Sequence, residues 1–214
     1  MKRRGLLITL EGGEGAGKST LLASLYRWLG EASGVEPLLT REPGGTPLGE
    51  AVRQLVLDAD QASVCAESEL LLMFASRAQL VREVLRPALN AGRLVLCDRF
   101  TDASYAYQGG GRGQPFERIA ELERWAADGL QPDRTLLLDV PPAVGRERIA
   151  GRDAGHDRIE QETVEFFERV RAAYRTRAQG EPQRFRILDG SQDPDTVLAA
   201  AKAALSDCLE AWCQ

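Results

Sequence analysis

The chain has 214 residues, of which 43% are apolar and 28% charged, and its formal net charge is −5. This composition is typical of a globular protein with a substantial core, and the acidic balance disfavours a general nucleic-acid-binding surface, which needs a basic excess. No stretch approaches the roughly 18 consecutive apolar residues that a membrane span requires.

A short apolar run, a glycine-rich loop and a helical pattern open the chain. Residues 6–10 predict a buried strand, and apolar residues recur at helical spacing from Ser19 to Leu29. Between them, residues 12–19 read Gly-Gly-Glu-Gly-Ala-Gly-Lys-Ser, which fits the pattern Gly-x-x-x-x-Gly-Lys-Ser/Thr of a phosphate-binding loop. Such a loop gathers backbone N–H groups at the positive end of a helix dipole, where a polyphosphate binds.

This loop predicts a nucleoside triphosphate site. Lys18 is expected to reach the β- and γ-phosphates, and the Ser19 hydroxyl to bind Mg²⁺. An accidental glycine-rich match is the less favoured interpretation, because the flanking strand and helix are both present. The expected nucleotide-binding residues are Gly12, Gly13, Glu14, Gly15, Ala16, Gly17, Lys18, Ser19 and Thr20.

Strand-like and helical patterns alternate along the rest of the chain. The predicted elements are a strand at 35–40 that Pro37 weakens, a loop at 41–46, helices at 47–57 and about 66–89, a buried strand at 94–98, a loop at 109–113, a helix at 115–127, a strand at 134–139, helices at 143–149 and 161–179, a strand at 185–188 and a helix at 196–209. Strands separated by helices imply a parallel sheet covered on both faces. With no repeat or linker to divide it, residues 1–214 are interpreted as one α/β domain with five strands.

The four cysteines, at positions 65, 97, 208 and 213, lie in apolar-patterned segments without metal-ligand spacing. We expect reduced, mostly buried thiols, as in a cytoplasmic protein. Neither nucleic acid nor a membrane is expected as a partner.

Switch GTPases, ATPase motors and kinases all carry a phosphate-binding loop, and other features favour a small-molecule kinase. A GTPase needs an Asn-Lys-x-Asp element for guanine, whereas the one asparagine, Asn90, is followed by Ala and Gly. Arg41 and Arg99 follow predicted strands at the ligand-binding edge of the sheet, and further arginines fall in a charged stretch at about 148–160 that suits a mobile lid. Phosphoryl transfer between two anions needs such cations.

Several motifs in combination resemble those of bacterial thymidylate kinases. They are Glu11–Thr20, Arg41–Thr46, Asp98–Phe100, Tyr105–Arg112 and Asp157–Glu162. The resemblance runs in order to about Phe167. It implies a three-layer P-loop nucleoside triphosphatase fold, transfer of the ATP γ-phosphate to dTMP in dTTP biosynthesis, Mg²⁺ as cofactor, and a homodimer.

The resemblance also implies catalytic roles for particular residues. Lys18 and Arg99 belong to the implied catalytic set, and Asp98 acts through Mg²⁺ or its waters, although a purely structural role as a cap remains open. Gly15 stands where one subclass has a basic residue, so the catalytic arginine is expected in the lid, at Arg152 or Arg148.

For the acceptor, the resemblance implies a set of dTMP-binding residues. Glu14 lies near the sugar 3′-hydroxyl or phosphate, Arg41 and Arg99 hold the monophosphate, and Arg77 meets a base carbonyl. Met73 or Phe74 covers the base; a pure core role for both is equally open on helical periodicity. Ser104 bonds the base edge, and Tyr107 and Gln108 form the ribose wall.

Two other functions stay open at this point. One is another P-loop nucleoside monophosphate or deoxynucleoside kinase, and the second is a regulatory protein that binds ATP with negligible turnover. The long helix, with apolar residues on more than one side (Leu70–Phe74, Leu80 and Val84), is the expected dimer contact.

Overall fold

A computed structural model describes residues 4–58, 64–151 and 157–214. Five strands form one parallel sheet in the order β2-β3-β1-β4-β5. The strands are β1 Leu6–Gly12, β2 Leu38–Arg41, β3 Leu94–Asp98, β4 Arg134–Asp139 and β5 Phe185–Asp189. The predicted five-stranded parallel sheet is therefore confirmed.

Helices connect the strands. They are α1 Lys18–Ser33, α2 Pro47–Leu57, α3 Ala66–Leu80, α4 Arg86–Asn90, α5 Thr101–Ser104, α6 Phe116–Ala126, α7 Pro142–Ala150, α8 Val164–Gly180 and α9 Pro194–Cys213, with π-helical segments at Val81–Leu85 and Tyr105–Gly111. Within the described ranges, no helix combines the length and apolar character needed to cross a membrane.

The two faces of the sheet pack on different helices. Side chains alternate along β1, so Leu6, Ile8 and Leu10 point to one face and pack with apolar residues of α1 and α9. Leu7 points to the opposite face and packs with residues of α3 and α4. Leu137 of β4 lies on that second face and packs with α8. The result is the expected three layers, with a core on each side of the sheet.

Two predicted elements differ in detail. The second strand begins at Leu38, directly after Pro37, because proline has no N–H for the sheet. The long helix predicted at 66–89 runs from Ala66 to Asn90, and the π-helical segment Val81–Leu85 interrupts its α-helical hydrogen bonding.

The expected loop at 109–113 is wrong for its first three residues, which lie in the π-helical segment Tyr105–Gly111. Their glycines serve close packing. A Cβ on Gly109 would lie 2.4 Å from the Phe116 ring, and one on Gly111 would lie 2.4 Å from the Phe166 ring. The sequence predicted a loop because consecutive glycines are typical of turns, whereas the rings on which these glycines pack belong to other elements, α6 and α8.

The cysteines are free thiols, but the expectation that most are buried is wrong. Cys97 of β3 is buried, Cys208 is partly buried, and Cys65 and Cys213 are exposed. Cys65 precedes α3 and Cys213 ends α9, so both lie at helix termini, where a side chain has fewer neighbours.

Candidate active site

The site lies at the carboxyl edge of the sheet, where β1 and β3 are neighbours. Leu10 is in register with Asp98, so the loops that follow the two strands meet. In the first loop, Gly15 and Gly17 have φ of 69° and 96°, which side chains rarely allow. The predicted strand, glycine loop and helix start are thus in place, with α1 beginning at Lys18.

Lys18 bends back over this loop. Its Nζ donates hydrogen bonds to the carbonyl oxygens of Gly12, at 3.1 Å, and Gly13, at 2.8 Å. Burial, together with the nearby charge of Arg99, lowers the pKa of Lys18 to about 8. The ammonium is therefore held at the mouth of the loop, where a bound polyphosphate would meet it.

Arg99 joins the two loops. Its guanidinium donates to the Gly12 carbonyl at 3.0 Å and to Glu14 Oε1 at 2.5 Å, and it stacks 4.8 Å from the Tyr107 ring centroid. The Tyr107 hydroxyl donates to the same Glu14 oxygen at 2.8 Å. Three predicted residues, Glu14, Arg99 and Tyr107, thus form one cluster beside the phosphate-binding loop.

Behind this cluster lies Glu11, a residue that sequence reasoning gave no role. The oxygens of its carboxyl group accept hydrogen bonds from the Phe100 N–H and the Tyr174 hydroxyl, both at 2.7 Å. Burial, with the neighbouring charge of Asp102, raises the pKa of Glu11 to about 8. The available signal was a carboxylate near the end of an otherwise apolar strand, but its partners come from distant parts of the chain.

A cavity of about 260 Å³, called here the central cavity, opens beside the cluster. Predicted residues on its wall are Glu14, Gly15, Ala16, Gly17, Lys18, Ser19, Thr20, Met73, Asp98, Arg99, Tyr107 and Gln108. Four predicted acceptor residues, Arg41, Phe74, Arg77 and Ser104, are not among its lining residues.

Arg77 is fully buried behind the wall. Its nitrogens donate to Glu42 Oε2 at 2.7 Å, to Ser104 Oγ at 3.0 Å and to the Phe100 carbonyl at 3.1 Å. The Phe74 ring centroid lies 4.5 Å from its guanidinium carbon. Of the two residues predicted to cover a base, Met73 therefore reaches the central cavity, whereas Phe74 packs on Arg77.

The arginines near α2 are arranged differently from the sequence expectation. Arg41 is half-exposed and pairs with Glu50 at 2.8 Å, away from the central cavity. Arg53, which sequence reasoning missed, lines the cavity and donates to the Pro43 carbonyl at 3.3 Å. The helical pattern at 47–57 could have placed Arg53 on a helix, but only the packing of α2 turns it toward the site.

A second cavity, of about 570 Å³ and called here the outer cavity, lies on the other side of the loop. Gly17 and Thr20 line it on one side and residues 190–194 on the other. Arg148 also lines it, and its Nη1 donates to the Gly190 carbonyl at 2.8 Å and to the Gly15 carbonyl at 3.4 Å.

The segment predicted to be a lid, at about 148–160, is described in part. Arg152 and the rest of 152–156 lie outside the described residues. The Arg158 side chain is held by other groups of the protein. Its Nη2 donates to Glu69 at 2.5 Å and its Nε to the Val56 carbonyl at 2.9 Å.

Asp98 and Ser19 are suited to Mg²⁺. Both line the central cavity, and Asp98 Oδ1 is a buried oxygen with no hydrogen-bond partner among the described residues. A carboxylate and a hydroxyl are hard oxygen donors of the kind that Mg²⁺ prefers.

Comparison with known proteins assigns the chain to a family. The family model described as thymidylate kinase matches residues 10–200. The chain belongs to the thymidylate kinase family.

Curated thymidylate kinases resemble this chain over nearly its full length. That of Halorhodospira halophila is 54% identical over 209 residues, covering 98% of this chain and 97% of its own. That of Ectopseudomonas mendocina is 55% identical, covering 97% and 98%. The crystal structure of thymidylate kinase from Ehrlichia chaffeensis superimposes with a TM-score of 0.77 at 32% identity, covering 95% of this chain and 99% of that one.

Proposed function

We propose that this protein transfers the γ-phosphate of ATP to dTMP, giving ADP and dTDP. The observation that carries the proposal is the cluster of Glu14, Arg99 and Tyr107, which joins a phosphate-binding loop to the wall of the central cavity in a thymidylate kinase fold. The central cavity takes dTMP, and the outer cavity beside α1 takes the nucleoside of ATP.

Catalysis in this proposal depends on position and charge. The acceptor is already an ionised phosphate, so no general base is needed. Lys18 neutralises the β- and γ-phosphates, Arg99 and Arg53 hold the acceptor phosphate, and Arg148 and Arg152 supply positive charge from α7 and the lid. Cations on both sides of the transferred group offset the repulsion between the two anions.

Ser19 and Asp98 would hold Mg²⁺. When bound, Mg²⁺ supplies positive charge that offsets the negative charge of the phosphate oxygens. Ser19 contributes its hydroxyl directly after Lys18, and Asp98 contributes the buried oxygen at the end of β3.

Selection of dTMP is assigned to the far wall of the central cavity. Met73 covers the base, and Gln108 contacts the nucleoside. Tyr107 fills the space that a ribose 2′-hydroxyl would need, so ribonucleotides are excluded sterically. Arg77 and Ser104, which are hydrogen-bonded to each other, support this wall from behind.

A substrate panel tests the proposal. With Mg²⁺ and ATP, the purified protein should phosphorylate dTMP faster than dCMP or AMP, measured by chromatographic separation of the diphosphates. Lys18→Ala should remove most of the turnover while the circular dichroism spectrum is retained. Faster phosphorylation of dCMP or AMP would assign a different kinase, and ATP binding without turnover would assign a regulatory protein.

We further propose that residues 1–214 form one domain with a mobile lid at about 148–160, that the protein works in the cytoplasm, and that it is a homodimer. Large apolar side chains are exposed on three helices that pack side by side, namely Leu55 of α2, Leu71 of α3 and Trp125 of α6. Trp125 is 82% exposed, and burial against a second copy would remove that apolar surface from water.

A further inference from the structure

The protein itself occupies part of the Arg99 guanidinium. Its Nη1 donates to the Gly12 carbonyl at 3.0 Å and to the Tyr174 hydroxyl at 3.2 Å, and its Nη2 donates to Glu14 at 2.5 Å. Both hydrogens of Nη1 are therefore used. The Nε–H and the second N–H of Nη2 have no partner among the described residues. These two groups remain for an acceptor phosphate in the central cavity, which Arg99 lines.

Tyr174 of α8 contacts Arg99 from outside the central cavity. It is 1% exposed and is not among the residues that line that cavity. Its ring packs edge-on against the Tyr107 ring, with centroids 6.3 Å apart, and Arg99 stacks on that same Tyr107 ring. A substrate in the central cavity would therefore not touch Tyr174, and any effect of Tyr174 on the substrate has to pass through its neighbours.

Glu11 fixes the orientation of the Tyr174 hydroxyl. The hydroxyl has a single hydrogen, which it donates to Glu11 Oε2 at 2.7 Å, so its oxygen stays available to accept from Arg99. Glu11 is fully buried, and its Oε1 accepts from the Phe100 N–H at 2.7 Å. The Arg99 N–H donates to the Leu10 carbonyl at 3.0 Å. Strand β1 thus holds the backbone at residues 99–100 directly and the guanidinium through Tyr174.

We propose that Tyr174 is a positioning residue, whose hydroxyl holds Nη1 of Arg99 so that the remaining N–H groups of the guanidinium face the acceptor phosphate. This inference rests on the proposed dTMP kinase activity, in which Arg99 holds that phosphate. Without the hydroxyl, Nη1 keeps one bond, to the Gly12 carbonyl, and the guanidinium gains freedom to turn. Binding of dTMP then has to order the side chain again, which lowers the affinity.

The first test compares Tyr174→Phe, which removes the hydroxyl and keeps the ring, with Tyr105→Phe. Tyr105 is also buried, its hydroxyl donates to Glu123 at 2.7 Å, and it does not line the central cavity, so it controls for loss of a buried hydroxyl bonded to a carboxyl group. By isothermal titration calorimetry, Tyr174→Phe should raise the Kd for dTMP about tenfold and keep the Kd for ATP within about twofold of wild type. Tyr105→Phe should leave both constants unchanged.

The second test asks whether Tyr174 acts through Arg99. In an Arg99→Ala background, Tyr174→Phe should change the Kd for dTMP by less than about twofold, because the hydroxyl has no guanidinium to hold. Should Arg99→Ala fail to fold, Arg99→Met takes its place, since it keeps an aliphatic side chain without the guanidinium.

Equal increases in Kd with and without Arg99 would overturn the inference, because Tyr174 would then act independently of Arg99. An unchanged Kd for dTMP in Tyr174→Phe, with only a lower melting temperature, would also overturn it, since a purely structural role predicts that result. A wild-type protein that neither binds nor phosphorylates dTMP contradicts the proposed function itself, before any variant is compared.

Discussion

The cations around the phosphate-binding loop differ in how firmly they are held. Arg99 adopts a left-handed backbone conformation, with φ of 66°, that costs a non-glycine residue roughly 1–3 kcal/mol. Its N–H donates to the Leu10 carbonyl at 3.0 Å, and its side chain binds Gly12 and Glu14. Arg53 has one backbone contact in the same cavity, and Arg41 points elsewhere. We therefore expect Arg99 to contribute most to binding of the acceptor phosphate, Arg53 less and Arg41 least.

Replacement of Arg53 by Ala should raise the KM for dTMP about 30-fold, because a hydrogen bond to a charged group contributes about 1.5–3 kcal/mol. Arg41→Ala is the matched control, since it removes a half-exposed guanidinium outside the central cavity, and it should change the KM by less than about threefold. Steady-state kinetics at saturating ATP measure both. A larger effect for Arg41 than for Arg53 would restore Arg41 as the phosphate ligand.

Glu11 should make stability depend on pH. Its pKa is raised to about 8, by burial and by Asp102, from an ordinary value of 4.5. The folded protein therefore keeps a proton that the unfolded chain releases, so Glu11 lowers the free energy of unfolding as pH rises from about 4.5 to about 8. Glu11→Gln has no such proton, and its stability relative to wild type should increase across that window.

Denaturation midpoints of the two proteins at about pH 5 and about pH 8.5 measure this difference. Comparing the variant with wild type cancels the contributions of titrating groups that lie far from Glu11. A constant difference between the two proteins at both pH values would mean that Glu11 does not titrate in this range.

Among the elements, the phosphate-binding loop and α7 approach each other unusually closely. A Cβ on Gly15 would lie 2.1 Å from the Gly145 carbonyl oxygen, and one on Gly145 would lie 2.4 Å from the Glu14 carbonyl oxygen. Only glycine at both positions allows this contact. The position of α7 therefore sets the position of the loop that is predicted to bind phosphate.

Gly145→Ala should therefore push α7 away from the loop. We expect affinity for ATP and turnover both to fall about tenfold or more, because a small displacement of catalytic groups is costly. Gly180→Ala in α8 is the control, since a Cβ there meets nothing within 4 Å, and its activity should equal that of wild type. Isothermal titration with ATP and initial rates provide the measurements. Normal ATP affinity in Gly145→Ala would show that the loop tolerates the displacement.

The assembly of two chains is a property of the molecular surface. Trp125→Glu should convert the expected dimer into a monomer, because a charge in an apolar interface loses its hydration. Ile187→Glu, on the edge strand β5, changes an exposed apolar residue away from α2, α3 and α6 and should leave the dimer intact. Light scattering at about 10 μM gives the mass of each, a concentration at which an interface with micromolar or tighter affinity is occupied. A wild-type monomer would refute the homodimer.

Local patterns in the sequence were sufficient to predict the sheet, the phosphate-binding loop and most helices. Strands such as Leu94–Asp98 and the loop at 12–19 are encoded by neighbouring residues, through apolar runs, glycines and helical spacing. The resemblance to thymidylate kinases, and not a local pattern, implied that Glu14, Arg99 and Tyr107 belong to one site, and the structure brings them into contact.

Tertiary packing decided everything that depends on distant partners. It placed Arg53 at the central cavity and Arg41 outside it. It buried Arg77 against Glu42 and Ser104. It also placed Gly109–Gly111 in a π-helical segment. It also gave Glu69 partners 39 and 89 residues away. The physical reason is that direction and burial of a side chain depend on which elements pack around it, and no local pattern records those neighbours.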